Sequence, residues 1–144
     1  MILIKPWHQA MTVALPIRIS VFVQEQGVPE NLELDEFDEL ADHALAFNGA
    51  VCVGTARLTR LASGVAQIGR MAVLPDYRRQ GLGTQLLQAL IKQGQSQGVT
   101  RFELHAQVWA IGFYEKQGFI IEGEQYEEAS IPHQTMTLAI YSPL

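Results

Sequence analysis

The chain has 144 residues, 48% hydrophobic and 17% charged, with one cysteine and a net charge of −5. This supports one domain around one core, spanning residues 1–144, and leaves no apolar run long enough to cross a bilayer. Cys52 alone allows no intrachain disulfide or cysteine-based zinc site and suits a reducing cytoplasm, and the negative charge argues against a nucleic-acid binder held by phosphate neutralisation.

Ile2 to Lys5 reads as a first strand and lacks the form of a signal peptide. A helical region follows. Pro16 suits the first turn of a helix better than its interior, so a first piece over Gln9 to Ala14 and a second from Ile17 to Gln26 are expected. In the second piece Ile17, Val21 and Phe22 recur at helical spacing, and Gly27-Val28-Pro29 ends it. Glu30 to Asp42 holds seven of the fifteen acids and no base, with Leu34 and Phe37 as candidate anchors.

Ala44 to Phe47 and Val51 to Thr59 flank Asn48-Gly49, a strong hairpin signal. Ser63-Gly64 marks the next turn. Val65 to Leu74 forms another strand, in which Gly69 hints at a bulge or a close backbone approach. Arg57 to Arg79 holds five of the ten bases and one acid, Asp76. One charged region suits an anion and the other a cation.

Leu82 to Gln97 reads as a helix with Leu82, Leu86 and Leu90 on one stripe. Arg101 to Gln107 alternates as a half-buried strand. A short helix over Trp109 to Lys116 stops at Gly118, and strands over Phe119 to Tyr126 and Gln134 to Ile140 follow. The order predicts an α/β (α+β) fold on one central sheet that is mostly antiparallel.

The segment Arg78-Arg79-Gln80-Gly81-Leu82-Gly83-Thr84 joins a strand to a helix N-terminus. The first amides of a helix have no internal partner and carry partial positive charge, and glycines let a phosphate approach them closely. A P-loop lysine is missing, and so is the third glycine of a dinucleotide fingerprint. This Arg-x-x-Gly-x-Gly segment resembles the acyl-CoA loop of the GNAT superfamily of N-acetyltransferases. Phe113-Tyr114-Glu115-Lys116-Gln117-Gly118-Phe119 resembles that family's Tyr-x-x-x-Gly-Phe signature. Arg18 with Val21-Phe22-Val23-Gln24-Glu25-Gln26, followed by Glu33, Asp35 and Asp38, resembles its ElaA-like branch. The element order matches the family along nearly the whole chain.

The resemblance implies acetyl-CoA as co-substrate and no metal. It implies a sheet splayed in the middle, where the backbone of Met71, Ala72 and Val73 holds the pantetheine arm. Arg78 to Thr84 would hold the pyrophosphate. Tyr114 would protonate the departing thiolate. Gln107 stands near where the family often has asparagine and is a further candidate for binding the cofactor. His133, in Ile131-Pro132-His133, resembles a histidine that points into the acceptor pocket of some branches and is the first candidate for general base. His43, at the end of the acidic stretch, is the second candidate and is also expected among the acceptor-binding residues; water-relayed deprotonation by Glu103 and no dedicated base are the other readings. Arg18, Glu25 and Asp38 fit two roles equally: lining an acceptor pocket, or an ion-pair network.

The expectation is a cytoplasmic N-acetyltransferase acting on the primary amine of a small molecule by direct attack in a ternary complex, with no nucleic-acid or membrane partner. A non-catalytic acyl-CoA sensor and an acyl-homoserine-lactone-synthase-like acyltransferase are the competing readings. Dimerisation is common among such relatives and is not readable from the sequence.

Overall fold

In Asp42–Asn48, Ala44 and Ala46 pack on one side and Leu45 on the other, so this strand is covered on both faces. The same holds across the centre of the sheet. The computed structural model describes residues 1–140. Its strands are β1 (Ile2–Pro6), β2 (Asp42–Asn48), β3 (Val51–Ala62), β4 (Val65–Val73), β5 (Arg101–Gln107), β6 (Ile120–Ile121), β7 (Tyr126–Glu128) and β8 (Ile131–Ala139). The helices are α1 (Trp7–Arg18), α2 (Leu82–Ser96) and α3 (Ile111–Lys116). The strand order is β1-β2-β3-β4-β5-β8-β6, with β7 also paired to β8. Every pairing is antiparallel except β4 with β5.

On one face α2 lays Leu86, Leu87 and Leu90 against Ala44, Leu58, Ile68, Phe102, Leu104 and Met136. The approach is close: a Cβ on Gly94 would fall 2.6 Å from the Phe102 ring, so only glycine fits there. On the other face α1 buries Trp7, Ala10 and Ala14 over Leu45, and Ile17 and Val21 pack on Ala72. No helix among the described residues is long and apolar enough to cross a membrane.

Four expectations need correction. Pro16 lies inside α1, which continues without a break into a π-helical segment, Ile19–Glu25. An interior proline costs about 3 kcal/mol; here the burial of Ala14, Ile17, Arg18 and Val21 around it outweighs local preference. The β2–β3 turn is Gly49-Ala50, one residue later than expected, because Asn48 still pairs with Val51. The expected strand over Phe119 to Tyr126 is interrupted around Gly123, whose φ is +78°, leaving β6 and β7 as separate short strands. The last strand begins at Ile131, before His133, because the β7–β8 hairpin extends it.

The feature that positions the site is the pairing of β4 with β5. It runs from Val65–Arg101 to Ile68–Leu104 and stops. Beyond it the β3–β4 register jumps from Arg57–Gly69 to Thr55–Ala72, a bulge in which Arg70 takes a φ of +49°. The bulge hinted at by Gly69 is present, with the left-handed residue at Arg70. It increases local twist, and the two strands part from Gly69 and His105 onward.

Candidate active site

The Leu74 N–H donates to Val53 O on β3 at 2.9 Å. Strand alternation then turns Ala72 N–H toward β3 as well and leaves those of Met71 and Val73 on the open side. Of the three residues expected to meet a pantetheine arm, Met71 and Val73 therefore present amides to the gap. Ala72 presents its side chain to the core under α1.

The loop after β4 ends at Gly81, which caps α2 in a left-handed conformation (φ +83°) without any side-chain cap. Gln85 N–H to Gly81 O, at 3.0 Å, is the first bond of the helical ladder. The amides of Leu82, Gly83 and Thr84 thus precede it. A Cβ on Gly81 would meet nothing within 4 Å, so space lies open before these amides. Arg79 (φ +64°) is exposed beside them, as is Gln80. Arg78 is engaged elsewhere: its guanidinium grips Glu25 through two hydrogen bonds of 2.8 and 2.7 Å and donates to Val73 O at 2.8 Å. Glu25 and Arg78, expected in two different subsites, form one clamp between the end of the first helical region and the loop. An uncapped helix end, open space and a neighbouring cation fit the diphosphate of a coenzyme A.

Tyr114 projects from α3 with its hydroxyl 3.8 Å from Met71 Sδ, on the α2 side of the gap. Phe113 and Phe119 meet its ring edge-on at 5.0 and 6.0 Å. Burial pushes the phenol up to about 12, so the group stays protonated at neutral pH.

Across the gap, Gln107 pairs directly with His133, and both face away from the α2 core, which takes Leu104, Ala106 and Met136. The Gln107 amide donates to Gln26 Oε1 at 2.8 Å and accepts from Trp109 Nε1 at 2.6 Å, tying β5 to the end of the first helical region. His133 is 6% exposed. Its Nδ1 lies 2.7 Å from Ile131 O; a carbonyl only accepts, so Nδ1 carries a hydrogen, and in the neutral tautomer this selects Nε2 is the ring's acceptor. Tyr114 and His133 thus stand on opposite faces of the sheet, with the splay between them.

Residues 11–140 match the acetyltransferase (GNAT) domain family. The chain belongs to the GNAT acetyltransferase family. It is 42% identical over 133 residues to a Bacillus subtilis (strain 168) protein provisionally named an acetyltransferase, covering 90% of each chain. An acyl-CoA N-acyltransferase from Pseudomonas aeruginosa superposes with a TM-score of 0.87 at 28% identity, over 96% of this chain and 99% of that one. Escherichia coli ElaA superposes with a TM-score of 0.83 at 27% identity, over 95% and 99%.

In this GNAT domain the acidic stretch has a use the charge pattern did not announce. Arg18 pairs with Glu33 and Asp38, Arg57 with Asp35 and Asp38, and Arg70 with Glu33 and Asp35. Each arginine meets two acids and each acid two arginines, closing a ring of six with no net charge. Leu34 and Phe37, the expected anchors, are exposed; Glu33 and Asp38 are the buried ones. Burial pulls the Arg18 guanidinium down, yet the hydrogen bonds and charges of Asp38 and Glu33 together hold it above its ordinary value. Burial also raises both acids; for Glu33 it prevails, while Arg18, the Asp35 N–H and Arg57 hold Asp38 below its usual range.

Arg18 and Asp38 are each 1% exposed and present no surface to an acceptor. His43, also 1% exposed, lies against the Trp7 ring with Nε2 2.9 Å from Asp38 O, and burial pushes it down. These three residues belong to the interior that braces the bulge. Four of its members, Arg18, Glu33, Asp35 and Asp38, stood in the motif read from the sequence; Arg57 and Arg70 had no local signal as their partners. By contrast, His105 and Glu128, which flank His133, follow from the strand register once β7 and β8 are paired.

Proposed function

We propose that this GNAT protein transfers an acetyl group from acetyl-CoA to the primary amine of a small molecule, by direct attack with both substrates bound. The observation that carries this reading is the parting of β4 from β5 with Tyr114 on one face and His133 on the other. Acetyl-CoA supplies the activated acyl group. Its diphosphate is assigned to the amides of Leu82, Gly83 and Thr84 with Arg79, and its arm to the open edge of Met71 and Val73.

Amine attack puts negative charge on the thioester oxygen. An N–H aimed there is worth about 2.7–4 kcal/mol where such donors have been removed in other enzymes. His133 Nε2 takes one proton from the bound ammonium and frees its lone pair. As the nitrogen–carbon bond forms and the carbon–sulfur bond breaks, the Tyr114 hydroxyl gives a proton to the departing sulfur, and the nitrogen sheds its second proton through water, which restores the phenol. Cys52 is half-buried, with its thiol pushed up by burial, and takes no part.

A panel of amines incubated with acetyl-CoA, read by mass spectrometry and CoA release, tests this reading. An acetylated primary amine and free CoA are expected, with the rise of rate with pH flattened in His133→Ala. Binding of acetyl-CoA without CoA release from any amine favours the sensor role. A marked preference for long acyl donors favours the homoserine-lactone-type reaction.

A further inference from the structure

The acceptor side carries a second arrangement, built by the β7–β8 hairpin. Its turn is Ala129-Ser130, both in the left-handed region (φ +50° and +64°) although neither is glycine. Such a turn joins two strands tightly and is strained for residues with a Cβ. It aligns Tyr126 opposite His133, and their rings stack at 6.0 Å. Glu128, two residues on, shares that face and reaches over His133: its Oε2 is 3.6 Å from His133 Nε2, and its Oε1 is 3.8 Å from His105 Nδ1. His105 Nε2 in turn lies 4.0 Å from Glu103 Oε1, and the Tyr126 ring stands edge-on to His105 at 5.9 Å.

The spacing between Glu128 and His133 is too long for a direct hydrogen bond and short enough for one atom to serve both. His133 Nε2 therefore faces a carboxylate at 3.6 Å without a hydrogen bond to it, from a side chain more than nine-tenths buried. A nitrogen about 2.9 Å from each would close a triangle over that separation, donating one N–H to each partner. Arg101, on the same strand as Glu103, is paired with Glu122.

We propose that Glu128 and His133 together form the seat for the acceptor's ammonium group, and that the acceptors are cationic amines with no carboxylate beside the reacting nitrogen. Glu128 holds the ammonium as a counter-ion and presents one of its N–H bonds to His133 Nε2. Glu103 extends the negative field behind it. An α-amino acid brings its own carboxylate into this field and is repelled. The inference rests on the transferase reading for its meaning, and the seat can be tested without turnover.

The probe is 1,4-diaminobutane, titrated into the full chain with CoA present while the ring signals of His133 and His105 are followed by NMR. Saturable shifts of both rings are expected, with binding at least 10-fold weaker in Glu128→Gln and partly restored in Glu128→Asp. Glycine and 1,4-butanediol should each bind at least 10-fold more weakly than the diamine. Glu128 is exposed, so the variants keep the fold. Equal affinity in Glu128→Gln, equal binding of glycine or the diol, or no response to the diamine would each overturn the seat. Parallel CoA-release assays separate the two readings. Glu128-dependent binding without CoA release leaves the seat standing and sinks the transfer. CoA release from the diamine with an unchanged KM in Glu128→Gln does the reverse.

Discussion

Arg18 Nη1 meets Asp38 Oδ1 at 2.8 Å, across twenty residues of sequence, and both side chains are 1% exposed. This pair is the buried side of the six-membered charge ring, and Arg18 also lies over the Trp7 ring at 5.2 Å. Removing one member leaves its partners charged and buried. Arg18→Met should therefore lower stability by about 3–5 kcal/mol in urea unfolding. A loss below about 1 kcal/mol, the level of an exposed pair, would show the ring to be dispensable. The exposed Glu25–Arg78 clamp is the internal comparison: Glu25→Ala should cost at most about 1 kcal/mol.

His43 gives the fold a pH dependence of known sign. Burial depresses its folded pKa below the ordinary 6.5. The unfolded chain therefore takes up a proton that the folded one refuses, and stability falls as pH drops below about 6.5 until the folded group also titrates. One such group gives a slope of up to about 1.4 kcal/mol per pH unit in that window. His43→Gln should flatten the stability curve just below about pH 6.5 without changing its shape at higher pH. Chemical unfolding at several pH values reads this directly, and an unchanged slope would place the titration elsewhere.

What could be read from the sequence was what neighbours in sequence decide. The glycine turn before α2, the Tyr114 segment and the alternation of Arg101–Gln107 depend on residues a few positions apart, and they form as their patterns predict. The ring of Arg18, Glu33, Asp35, Asp38, Arg57 and Arg70 draws on four separate segments. Of the two roles open to Arg18 and Asp38, the ion-pair network is the one they fill, but charge counts carry no information about which charges meet, so Glu33, Asp35, Arg57 and Arg70 could not be named as its other members. Pro16 misled for a related reason: local preference is small beside the burial of the helix around it. The position of Arg78 was visible, whereas its commitment to Glu25 was not, since that contact spans 53 residues.

Gly81 combines a left-handed backbone with open space before the α2 amides. Gly81→Glu should abolish binding of CoA, because a carboxylate would compete for the place assigned to the diphosphate. Gly81→Asn tolerates the left-handed conformation and separates charge from strain: it should keep the fold and lose much less affinity. Calorimetric titration of CoA against both variants checks the assignment. Unchanged affinity in Gly81→Glu would move the diphosphate away from this turn.

Tyr114 provides the sharpest test of the chemistry. Among the described residues its hydroxyl finds Met71 Sδ as hydrogen-bond partner, at 3.8 Å, and burial pushes its pKa up to about 12. An acid in that state remains protonated throughout the range in which an amine-acetylating enzyme works. The wild-type rate should therefore rise with pH as the acceptor and its base lose protons, then stay level to about pH 10. Tyr114→Phe keeps the ring contacts with Phe113 and Phe119. It should lower kcat by about 100-fold while shifting the KM for acetyl-CoA little. A descending limb near pH 9 that vanishes in Tyr114→Phe would mean that the phenol titrates there and is less buried in the working enzyme. Equal kcat in the two proteins would remove Tyr114 from proton transfer altogether.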